Sequence, residues 1–465
     1  MASQPYDAIV IGSGQAGKPL SVTLARAGMR TALIERDHFG GTCVNTGCTP
    51  TKTMLASGRV AYLAHRAADY GVRTGPISID LARVRQRKRD IVDSFRSNGQ
   101  SRVLETANLD LIFGDARFLG PRSVEISMKD GGQQVLSARN IFINAGTRAA
   151  RPRLDGLDSI PFLDNGSIME LDSVPEHLLI LGGGYIGLEF GQLFRRFGSQ
   201  VTIIQSRGQL LMGEDPDIAD KIAEIFQEDG ISIVTNGHAI RVSRLDGRIR
   251  LEVKQTGRST TLVGSHLLVA TGRVPNSDTL NLSAAGVHTN DRGFIQVNDQ
   301  LETTSPGVYA LGDIKGGPAF THISYDDFRV IRANLLENKT ASIANRLVPY
   351  TLFIDPQLGR IGLTETEARA QNRNIRVAKL PMTSVARARE VDETRGFMKA
   401  IVDSESNQIL GAAILGLEGG EVMSMLEIGM MGKLPYTSLR DAVLAHPTLA
   451  ESLNNLFMAM DDAKT

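Results

Sequence analysis

Residues 6–17 read YDAIVIGSGQAG, and this stretch decides the fold of the first part of the chain. The apolar run is typical of a buried strand; Gly12, Gly14 and Gly17 follow it, before a helical segment that extends to about Gly28. In such a turn the first glycine permits a tight bend, the second lets backbone approach a pyrophosphate, and the third allows close packing of helix on strand. The N-terminus of the helix attracts the phosphates. The stretch therefore predicts a Rossmann-like unit that binds a dinucleotide.

The same pattern recurs in residues 177–187, which read HLLILGGGYIG. Here Gly182, Gly184 and Gly187 follow an apolar run and precede a helical segment to about Gly198. In a chain with 47 glycines among 465 residues, such a glycine triplet alone is weak evidence. The strand before each triplet and the helix after it make the pattern specific. Two such units predict two bound dinucleotides.

The residue that ends the second strand of each unit indicates which dinucleotide it binds. Glu35 lies 21 residues after Gly14 (35 − 14), where a carboxylate accepts hydrogen bonds from a ribose that carries no 2′-phosphate. Gln205 holds the equivalent place, 21 residues after Gly184 (205 − 184), and Arg207 is near enough in sequence to pair with a 2′-phosphate. This favours NADPH in the second unit. A glycine as the third member of the triplet is typical of NAD sites, however, so NADH and an ordinary exposed arginine stay open as alternatives.

The only two cysteines of the chain lie five positions apart within residues 40–52, GGTCVNTGCTPTK. A disulfide between Cys43 and Cys48 would close so short a loop that it would add only about 2 kcal/mol to the stability of a large protein. Zinc requires about four ligands, and no second pair of Cys or His follows at ligand spacing. The pair therefore predicts reversible dithiol/disulfide chemistry, with inert cysteines as the alternative.

The charge composition argues against a nucleic-acid or membrane partner. Lys and Arg together number 51, as do Asp and Glu, so the net charge is zero and no global field attracts polyanions or anionic lipid. The basic residues within 83–89 are interpreted as the exposed face of a helix, and they are Arg83, Arg85, Arg87, Lys88 and Arg89. The apolar side of this helix is expected to carry Val84, Ile91, Val92 and Phe95. No apolar run is long enough to cross a bilayer, and the N-terminus lacks the pattern of a signal peptide. We expect a cytoplasmic protein, where thiols stay reduced unless they turn over catalytically.

Four further segments complete a family resemblance: INAGT at 143–147, ATGRVPN at 270–276, TSPGVYALGD at 304–313 and AHPTLAE at 445–451. Together with the two glycine turns and the cysteine pair, they resemble the class I pyridine nucleotide-disulfide oxidoreductases. This family includes glutathione reductase, dihydrolipoamide dehydrogenase and mercuric reductase. The resemblance covers nearly the whole chain.

The resemblance implies an α/β fold with two Rossmann-like dinucleotide-binding domains, one for FAD and one for NAD(P), and a C-terminal α+β dimerisation domain. It implies a split FAD domain at residues 1–150 and 266–345, an NAD(P) domain at 151–265 and a dimerisation domain at 346–465. Members of the family are two-fold dimers. We therefore expect a homodimer with active sites at the subunit interface.

The resemblance also implies a path for electrons. A reduced nicotinamide passes hydride to the flavin, which reduces the Cys43–Cys48 disulfide through Cys48. Cys43 is then the interchange thiol that attacks the substrate, with His446 of the partner subunit as its acid and base. Glu451 orients the imidazole in this assignment. Its alternative role is that of the acidic residue in a capping box that begins at Thr448.

Three more residues resemble groups beside the flavin. Lys52 and Glu189 resemble an ion pair near flavin N5, and Tyr185 resembles the tyrosine that covers the flavin until nicotinamide displaces it. Thr51 is the alternative to Lys52, and a surface lysine and ordinary packing of the tyrosine are the structural alternatives. The contacts implied for FAD are Gly12, Gly14, Gly17, Glu35, Gly41, Thr42, Lys52, Ala116, Gly146 and Asp313. Those implied for NAD(P) are Gly182, Gly184, Gly187, Gln205, Arg207 and Gly272, and no metal site is expected.

The substrate is the least determined feature. Residues 461–465 hold no cysteine pair of the kind that mercuric reductases carry, and Leu444 stands where dihydrolipoamide dehydrogenases usually have a second His. Residues 316–327 and 451–457 resemble the mercuric-reductase-like branch, whose members include copper(II) reductases. We expect a reductase of a small-molecule or protein disulfide. The alternatives are a reductase of a soft metal ion (mercuric or copper(II)) or oxidant at the same thiols, a dihydrolipoamide dehydrogenase, and a non-enzymatic flavoprotein subunit with a binding role.

Overall fold

The structure is a computed structural model that describes residues 5–255 and 257–462. The α-helices are α1 (Gly17–Arg26), α2 (Gly41–Asn45), α3 (Cys48–His65), α4 (Leu81–Leu104), α5 (Tyr185–Arg196), α6 (Pro216–Glu228), α7 (Thr321–Leu336), α8 (Glu365–Ala370), α9 (Ala386–Glu390), α10 (Gly419–Met431), α11 (Tyr436–Arg440) and α12 (Ser452–Asp462). The strands are β1 (Tyr6–Ile11), β2 (Thr31–Glu35), β3 (Leu109–Gly120), β4 (Ser123–Met128), β5 (Gln133–Ile143), β6 (Thr147–Ala149), β7 (His177–Leu181), β8 (Gln200–Ile204), β9 (Ser232–Val234), β10 (His238–Leu245), β11 (Arg248–Gln255), β12 (Arg258–Gly264), β13 (His266–Val269), β14 (Arg273–Pro275), β15 (Val308–Ala310), β16 (Tyr350–Leu352), β17 (Gln357–Gly362), β18 (Ile375–Pro381), β19 (Phe397–Asp403) and β20 (Ile409–Gly416).

Two compact units make up the described chain. Unit one consists of the chain up to Met54, Ala82–Ala150 and Gly272–Arg346. Unit two consists of Leu55–Leu81, Arg151–Thr271 and the chain from Leu347 onward. Each unit is therefore assembled from segments that are distant in sequence.

A parallel sheet forms the centre of unit one. Its strand order is β3-β2-β1-β5-β15, and Val10 of β1 is level with Leu33 on one side and Phe142 on the other. All three side chains are fully buried, as in parallel sheets that are covered on both faces. Beyond this sheet, β3 and β5 continue into an antiparallel meander with β4. The apolar run at residues 6–11 is thus a central core strand that leads directly into the first glycine turn.

Unit two contains a second parallel sheet, with the order β13-β7-β8-β9. The antiparallel strands β10-β11-β12 belong to the same unit. Its C-terminal part is a five-stranded antiparallel sheet, β16-β17-β20-β19-β18, packed against α10 and α12 through a shared apolar core. The predicted fold class, α/β with two Rossmann-like units and a C-terminal α+β domain, is confirmed. The assignment of the domain boundaries to the two cofactors stays a prediction.

The two glycine turns have the same geometry. Gly12 and Gly182 adopt φ of 103° and 109°, in the left-handed region that favours glycine. A methyl group placed on Gly17 would lie 2.0 Å from the carbonyl oxygen of Gly12, and one on Gly187 would lie 2.0 Å from that of Gly182. Any side chain at the third position would therefore push the helix away from its strand.

Helix α4 corrects the interpretation of the basic stretch at 83–89. Lys88 is only 3% exposed, whereas Phe95 is 59% exposed, so the faces assigned to these two residues were wrong. Lys88 lies four residues before buried Val92 and therefore shares its face of the helix. The charge of each residue did not by itself reveal which side of the helix faces the interior.

Within residues 5–255 and 257–462, no helix combines the length and apolar character needed to cross a membrane.

Replacing Gly187 by Ala should destabilise unit two, because only a movement of backbone can accommodate the added methyl group. Forcing a methyl group into a packed interior costs about 1–3 kcal/mol, which should lower the urea midpoint of unfolding. Gly75→Ala is the matched control, because no atom of the described residues, apart from its chain neighbours, lies within 4 Å of the methyl group added there. Equal midpoints for the two variants would contradict this account of the turn.

Candidate active site

The two cysteines lie in two consecutive helices of unit one. Cys43 is in α2 and is partly buried, whereas Cys48 is the first residue of α3 and is exposed. Both are free thiols, and their side chains hydrogen-bond to each other. Cys48 Sγ also lies 3.3 Å from Oγ1 of Thr321, the first residue of α7. Two sulfurs already in contact suit the reversible formation of a disulfide.

The contact between the two thiols affects the acidity of Cys43. The hydrogen bond to Cys48, burial and the charge of Cys48 all raise the pKa of Cys43, while a hydrogen bond to Thr321 acts in the opposite direction. Cys43 therefore keeps its proton while Cys48 is ionised, since two thiolates in contact repel each other. To become a nucleophile, Cys43 requires a base that removes its proton.

Lys18 in α1 interacts with the same pair. Burial lowers the pKa of Lys18, whereas the charge of Cys43 raises it and that of Arg102 lowers it further. A thiolate at Cys43 and the ammonium group of Lys18 therefore stabilise each other. Neither Lys18 nor Thr321 is among the sequence-predicted site residues, although Lys18 directly follows the first glycine triplet and Thr321 lies in the quoted segment 316–327.

His446 and Glu451, both in unit two, form the predicted pair. Nδ1 of His446 lies 2.8 and 3.1 Å from the two carboxylate oxygens of Glu451, and two thirds of the imidazole is exposed. The Glu451 N–H donates to the hydroxyl of Thr448 at 3.2 Å, directly before α12. Thr448 therefore supplies its half of the capping arrangement, while the carboxylate of Glu451 holds the imidazole. A proton on Nδ1 leaves Nε2 as the acceptor, which suits a general base.

Polar side chains tie the first glycine turn to its neighbours. Oε2 of buried Glu35 accepts hydrogen bonds from the Ser13 N–H at 3.0 Å and from the Ser13 hydroxyl at 2.6 Å. Oδ1 of Asn144 accepts from the Gly17 N–H at 2.9 Å, and its amide donates to the Leu311 carbonyl oxygen at 2.8 Å. Ser13 and Asn144 were missed in the sequence, although Ser13 lies inside the glycine triplet and Asn144 inside the INAGT segment.

The structure places several predicted flavin residues around this turn. Gly41 packs against Gly14, since a methyl group on Gly41 would lie 2.8 Å from the Gly14 Cα. Thr42 follows in α2. Ala116 lies on β3, three residues beyond Phe113, which is level with Glu35. Gly41 of α2 therefore lies against the turn, and Glu35 and Ala116 lie on the adjacent strands β2 and β3.

Asp313 lies in the same unit as a buried carboxylate. Its Oδ2 accepts a hydrogen bond from the Thr147 hydroxyl at 3.2 Å, and Arg273 donates to the same hydroxyl at 2.7 Å. Burial raises the pKa of Asp313 despite the opposing charge of Arg273 and the bond from Thr147. Gly146 precedes Thr147, and in the part of the chain that the structure describes only its chain neighbours lie within 4 Å of a methyl group placed on it.

These residues fit a flavin adenine dinucleotide. The N-terminus of α1 and the glycine turn can bind a pyrophosphate, and the carboxylate of Glu35 ends β2 where a ribose would lie. The open space beside Gly146 and the buried carboxylate of Asp313 suit the remainder of such a molecule. Their individual roles toward FAD stay a prediction.

The second glycine turn differs from the first in its polar groups. Gln205 accepts from the Gly183 N–H at 3.4 Å and donates to the Gln209 carbonyl oxygen at 3.0 Å, and Arg207 is exposed. Within residues 5–255 and 257–462, no atom outside the neighbouring backbone lies within 4 Å of a methyl group placed on Gly184. This turn therefore presents an amide and an arginine where the first presents a carboxylate.

The other predicted residues are divided between the two units. Glu189 is buried in α5, and its Oε1 accepts from the Phe353 N–H at 3.0 Å. Lys52 lies in α3 within unit one, and Gly272, also in unit one, accepts from the Ala150 N–H at 2.9 Å. The ion pair between Lys52 and Glu189 and the nucleotide contact of Gly272 stay predictions. Tyr185 is the first residue of α5, and 39% of it is exposed.

Comparison with known proteins covers nearly all of the chain. A family model described as pyridine nucleotide-disulphide oxidoreductase matches residues 6–327, and the dimerisation-domain model of the same family matches residues 348–457. The probable pyridine nucleotide-disulfide oxidoreductase RclA of Escherichia coli is 39% identical over 97% of this chain and 98% of its own length. A mercuric reductase of Bacillus cereus is 33% identical over 98% of this chain and 72% of its own length. The solved copper(II) complex of the HOCl-induced flavoprotein disulfide reductase RclA from E. coli superimposes with a TM-score of 0.90 at 37% identity, covering 98% of this chain and 99% of that one.

The electrostatics of the cysteine pair predict how Cys43 reacts with iodoacetamide in the reduced protein. In Cys48→Ala the alkylation midpoint of Cys43 should move to lower pH, because the main cause of its raised pKa is removed. In Thr321→Val the midpoint should move to higher pH, because a bond that lowers the pKa is lost. Mass spectrometry of the alkylated peptide gives both midpoints. Shifts in the same direction, or no shifts, would contradict the described contacts.

Proposed function

The chain belongs to the pyridine nucleotide-disulphide oxidoreductase family, and from this premise we propose that it passes electrons from NADPH to Cys43 and Cys48 and on to a disulfide substrate. The observation that carries the proposal is the direct contact of the two thiols in the unit that also fits FAD. Bound FAD supplies the transfer of two electrons between a nicotinamide and the disulfide.

The residues of the chain account for the thiol steps. Reduction breaks the Cys43–Cys48 bond with two electrons and yields two sulfur groups, of which Cys48 is the thiolate and Cys43 the protonated thiol. Once deprotonated, Cys43 attacks the substrate disulfide, forms a mixed disulfide with one half of the substrate and releases the other half as the first thiol. Cys48 then attacks the Cys43 sulfur of this mixed disulfide, which re-forms the Cys43–Cys48 bond and releases the second substrate thiol. The balance is NADPH, a proton and one substrate disulfide giving NADP⁺ and two thiols.

The proton transfers fall to His446 of the partner subunit. The raised pKa of Cys43 means that its attack at neutral pH depends on a base, and an imidazole with Nε2 available is suited to that task. Glu451 holds Nδ1 and stabilises the imidazolium that forms when the proton arrives. The dimerisation domain supports a homodimer, and we place the active site between its subunits.

The second glycine turn favours NADPH over NADH. Gln205 presents an amide that is held by Gly183 and Gln209, so no carboxylate at this position repels a 2′-phosphate. Arg207 lies exposed in the loop after β8, where its guanidinium can pair with that phosphate.

Because its proposed cycle uses NADPH and reduced thiols, we place the enzyme in the cytoplasm.

Reduction of a soft metal ion is the second candidate. A relative of similar length has been solved as a copper(II) complex, and another is a mercuric reductase. Two adjacent thiols suit soft ions. No group of three or more His, Cys, Asp or Glu side chains that could hold a metal was found among residues 5–255 and 257–462, so the proposal for a metal substrate rests on Cys43 and Cys48.

A substrate panel tests the proposal. Oxidised small-molecule and protein disulfides, copper(II) and mercuric salts are each supplied with NADPH and with NADH, and nucleotide oxidation is followed. We expect disulfide turnover with higher kcat/KM for NADPH, abolished in Cys43→Ser and reduced by about 100- to 10,000-fold in His446→Ala. His238→Ala, at an exposed histidine, is the matched control and should retain activity.

Two outcomes of the panel would overturn the proposal. Turnover of metal salts without any disulfide turnover would favour the second candidate. Absence of nucleotide oxidation with every substrate, despite full occupancy by FAD, would instead favour a flavoprotein subunit with a binding role.

A further inference from the structure

A buried glutamate, Glu214, interacts with Tyr185 in unit two. Glu214 lies two residues before the first residue of α6, and its side chain is only 2% exposed. The Tyr350 hydroxyl donates a hydrogen bond to Glu214 Oε1. Oε2 lies 3.6 Å from Nε of Arg360, which is itself buried, and no residue of the described chain hydrogen-bonds to that oxygen. A carboxylate in this position is only partly satisfied, which makes its charge state sensitive to its surroundings.

Tyr350 connects this carboxylate to Tyr185. The two tyrosine rings are in tilted contact, with centroids 5.6 Å apart and an interplanar angle of 57°. Burial and the charge of Glu214 raise the pKa of Tyr185 to about 12, so the glutamate also acts on Tyr185 electrostatically. One side of the Tyr185 ring therefore rests on a residue whose hydroxyl is held by Glu214.

We propose that Glu214 and Tyr350 are positioning residues that restrain the Tyr185 ring, and that ionisation of Glu214 strengthens this restraint. The inference rests on the proposed function and on the role that the family resemblance implies for Tyr185, whose ring moves aside when a nicotinamide binds. An ionised acceptor forms a stronger hydrogen bond with Tyr350 than a neutral carboxyl group does. A firmly held Tyr350 keeps its ring against Tyr185, so nucleotide binding becomes more costly as Glu214 ionises.

The charge state of Glu214 changes near neutral pH. Burial raises its pKa to about 7 against the opposing charge of Arg360 on β17. Asp215 and Glu367 raise the pKa of Glu214 as well, whereas Lys399 on β19 lowers it. Below pH 7 the carboxyl group is neutral and the restraint is weak; above pH 7 it is charged and the restraint is strong.

The neighbouring carboxylates do not share this property. Burial raises the pKa of Asp215, but hydrogen bonds from Thr366 and Lys399 outweigh burial and bring the pKa to about 2. Asp217 has a lowered pKa through Lys379 and Lys399, again against the effect of burial. Both residues stay ionised across the neutral range, so Asp217, whose carboxylate pairs with Lys379 and Lys399, offers a control in the same cluster.

A fluorescent reporter tests the restraint without relying on turnover. The chain contains no tryptophan, so a Tyr185→Trp variant of the holoenzyme carries a single indole at the relevant position. We expect quenching of its emission by acrylamide to fall as the pH rises, with a midpoint near 7.

Adding Glu214→Gln or Tyr350→Phe to the Tyr185→Trp variant should abolish this pH dependence, whereas adding Asp217→Asn should preserve it. Tyr350→Phe leaves the contact of Glu214 with Arg360 intact, so it remains informative if Glu214→Gln folds poorly. A pH dependence that survives both substitutions would overturn the inference.

Kinetics on the protein with Tyr185 in place provide the second readout. The KM for NADPH should rise about 3- to 10-fold between pH 6 and 8, the effect of strengthening one hydrogen bond by ionising its acceptor, with kcat changing less. Glu214→Gln and Tyr350→Phe should give a flat KM profile, and Asp217→Asn should follow the wild type. Full turnover with identical KM profiles in all four proteins would overturn the inference while leaving the proposed function intact. If no nucleotide is oxidised, the proposed function fails, and the fluorescence result still decides whether Glu214 restrains this ring.

Discussion

Both glycine turns depend on one close approach, in which the third glycine of the turn lies against the carbonyl oxygen of the first glycine. A single methyl group at Gly17 or Gly187 would lie 2.0 Å from that oxygen. This contact brings the N-terminus of α1 or α5 up to the end of its strand, where the helix can attract a phosphate. The rest of the site is built around this geometry, because the residues that follow each turn can bind a dinucleotide only if the helix starts there.

The thiol chemistry depends on the environment that the fold gives Cys43, one of two adjacent thiols. Contact with Cys48 and burial raise the pKa of Cys43, and a hydrogen bond to Thr321 acts in the opposite direction. Such a pair holds one negative charge readily and a second with difficulty. The raised pKa of Cys43 explains why the proposed cycle needs a base, and the bond between His446 and Glu451 prepares an imidazole for that task. Lys18 adds a positive charge near the same thiol.

The sequence predicted the parts of the site that are encoded locally. Both glycine turns, the cysteine pair and the pairing of His446 with Glu451 lie in short segments whose residue types are specific to their chemistry. Contacts between residues that are distant in sequence were not predicted. Thr321 is 273 positions from Cys48, and Tyr350 is 136 positions from Glu214. No local pattern reveals which distant residue will face a given group. The wrong faces of Lys88 and Phe95 have a related cause, because the helix phase was set by packing in three dimensions rather than by the charge of each residue.

The central claim is that electrons from the nicotinamide arrive at Cys43 and Cys48, and counting thiols tests it most directly. Oxidised holoenzyme is mixed anaerobically with one equivalent of NADPH per subunit, then denatured in the presence of a thiol reagent. The account predicts two new thiols per subunit, located by mass spectrometry at the two cysteines of the chain. Oxidation of the nucleotide without the appearance of thiols at these positions would contradict it.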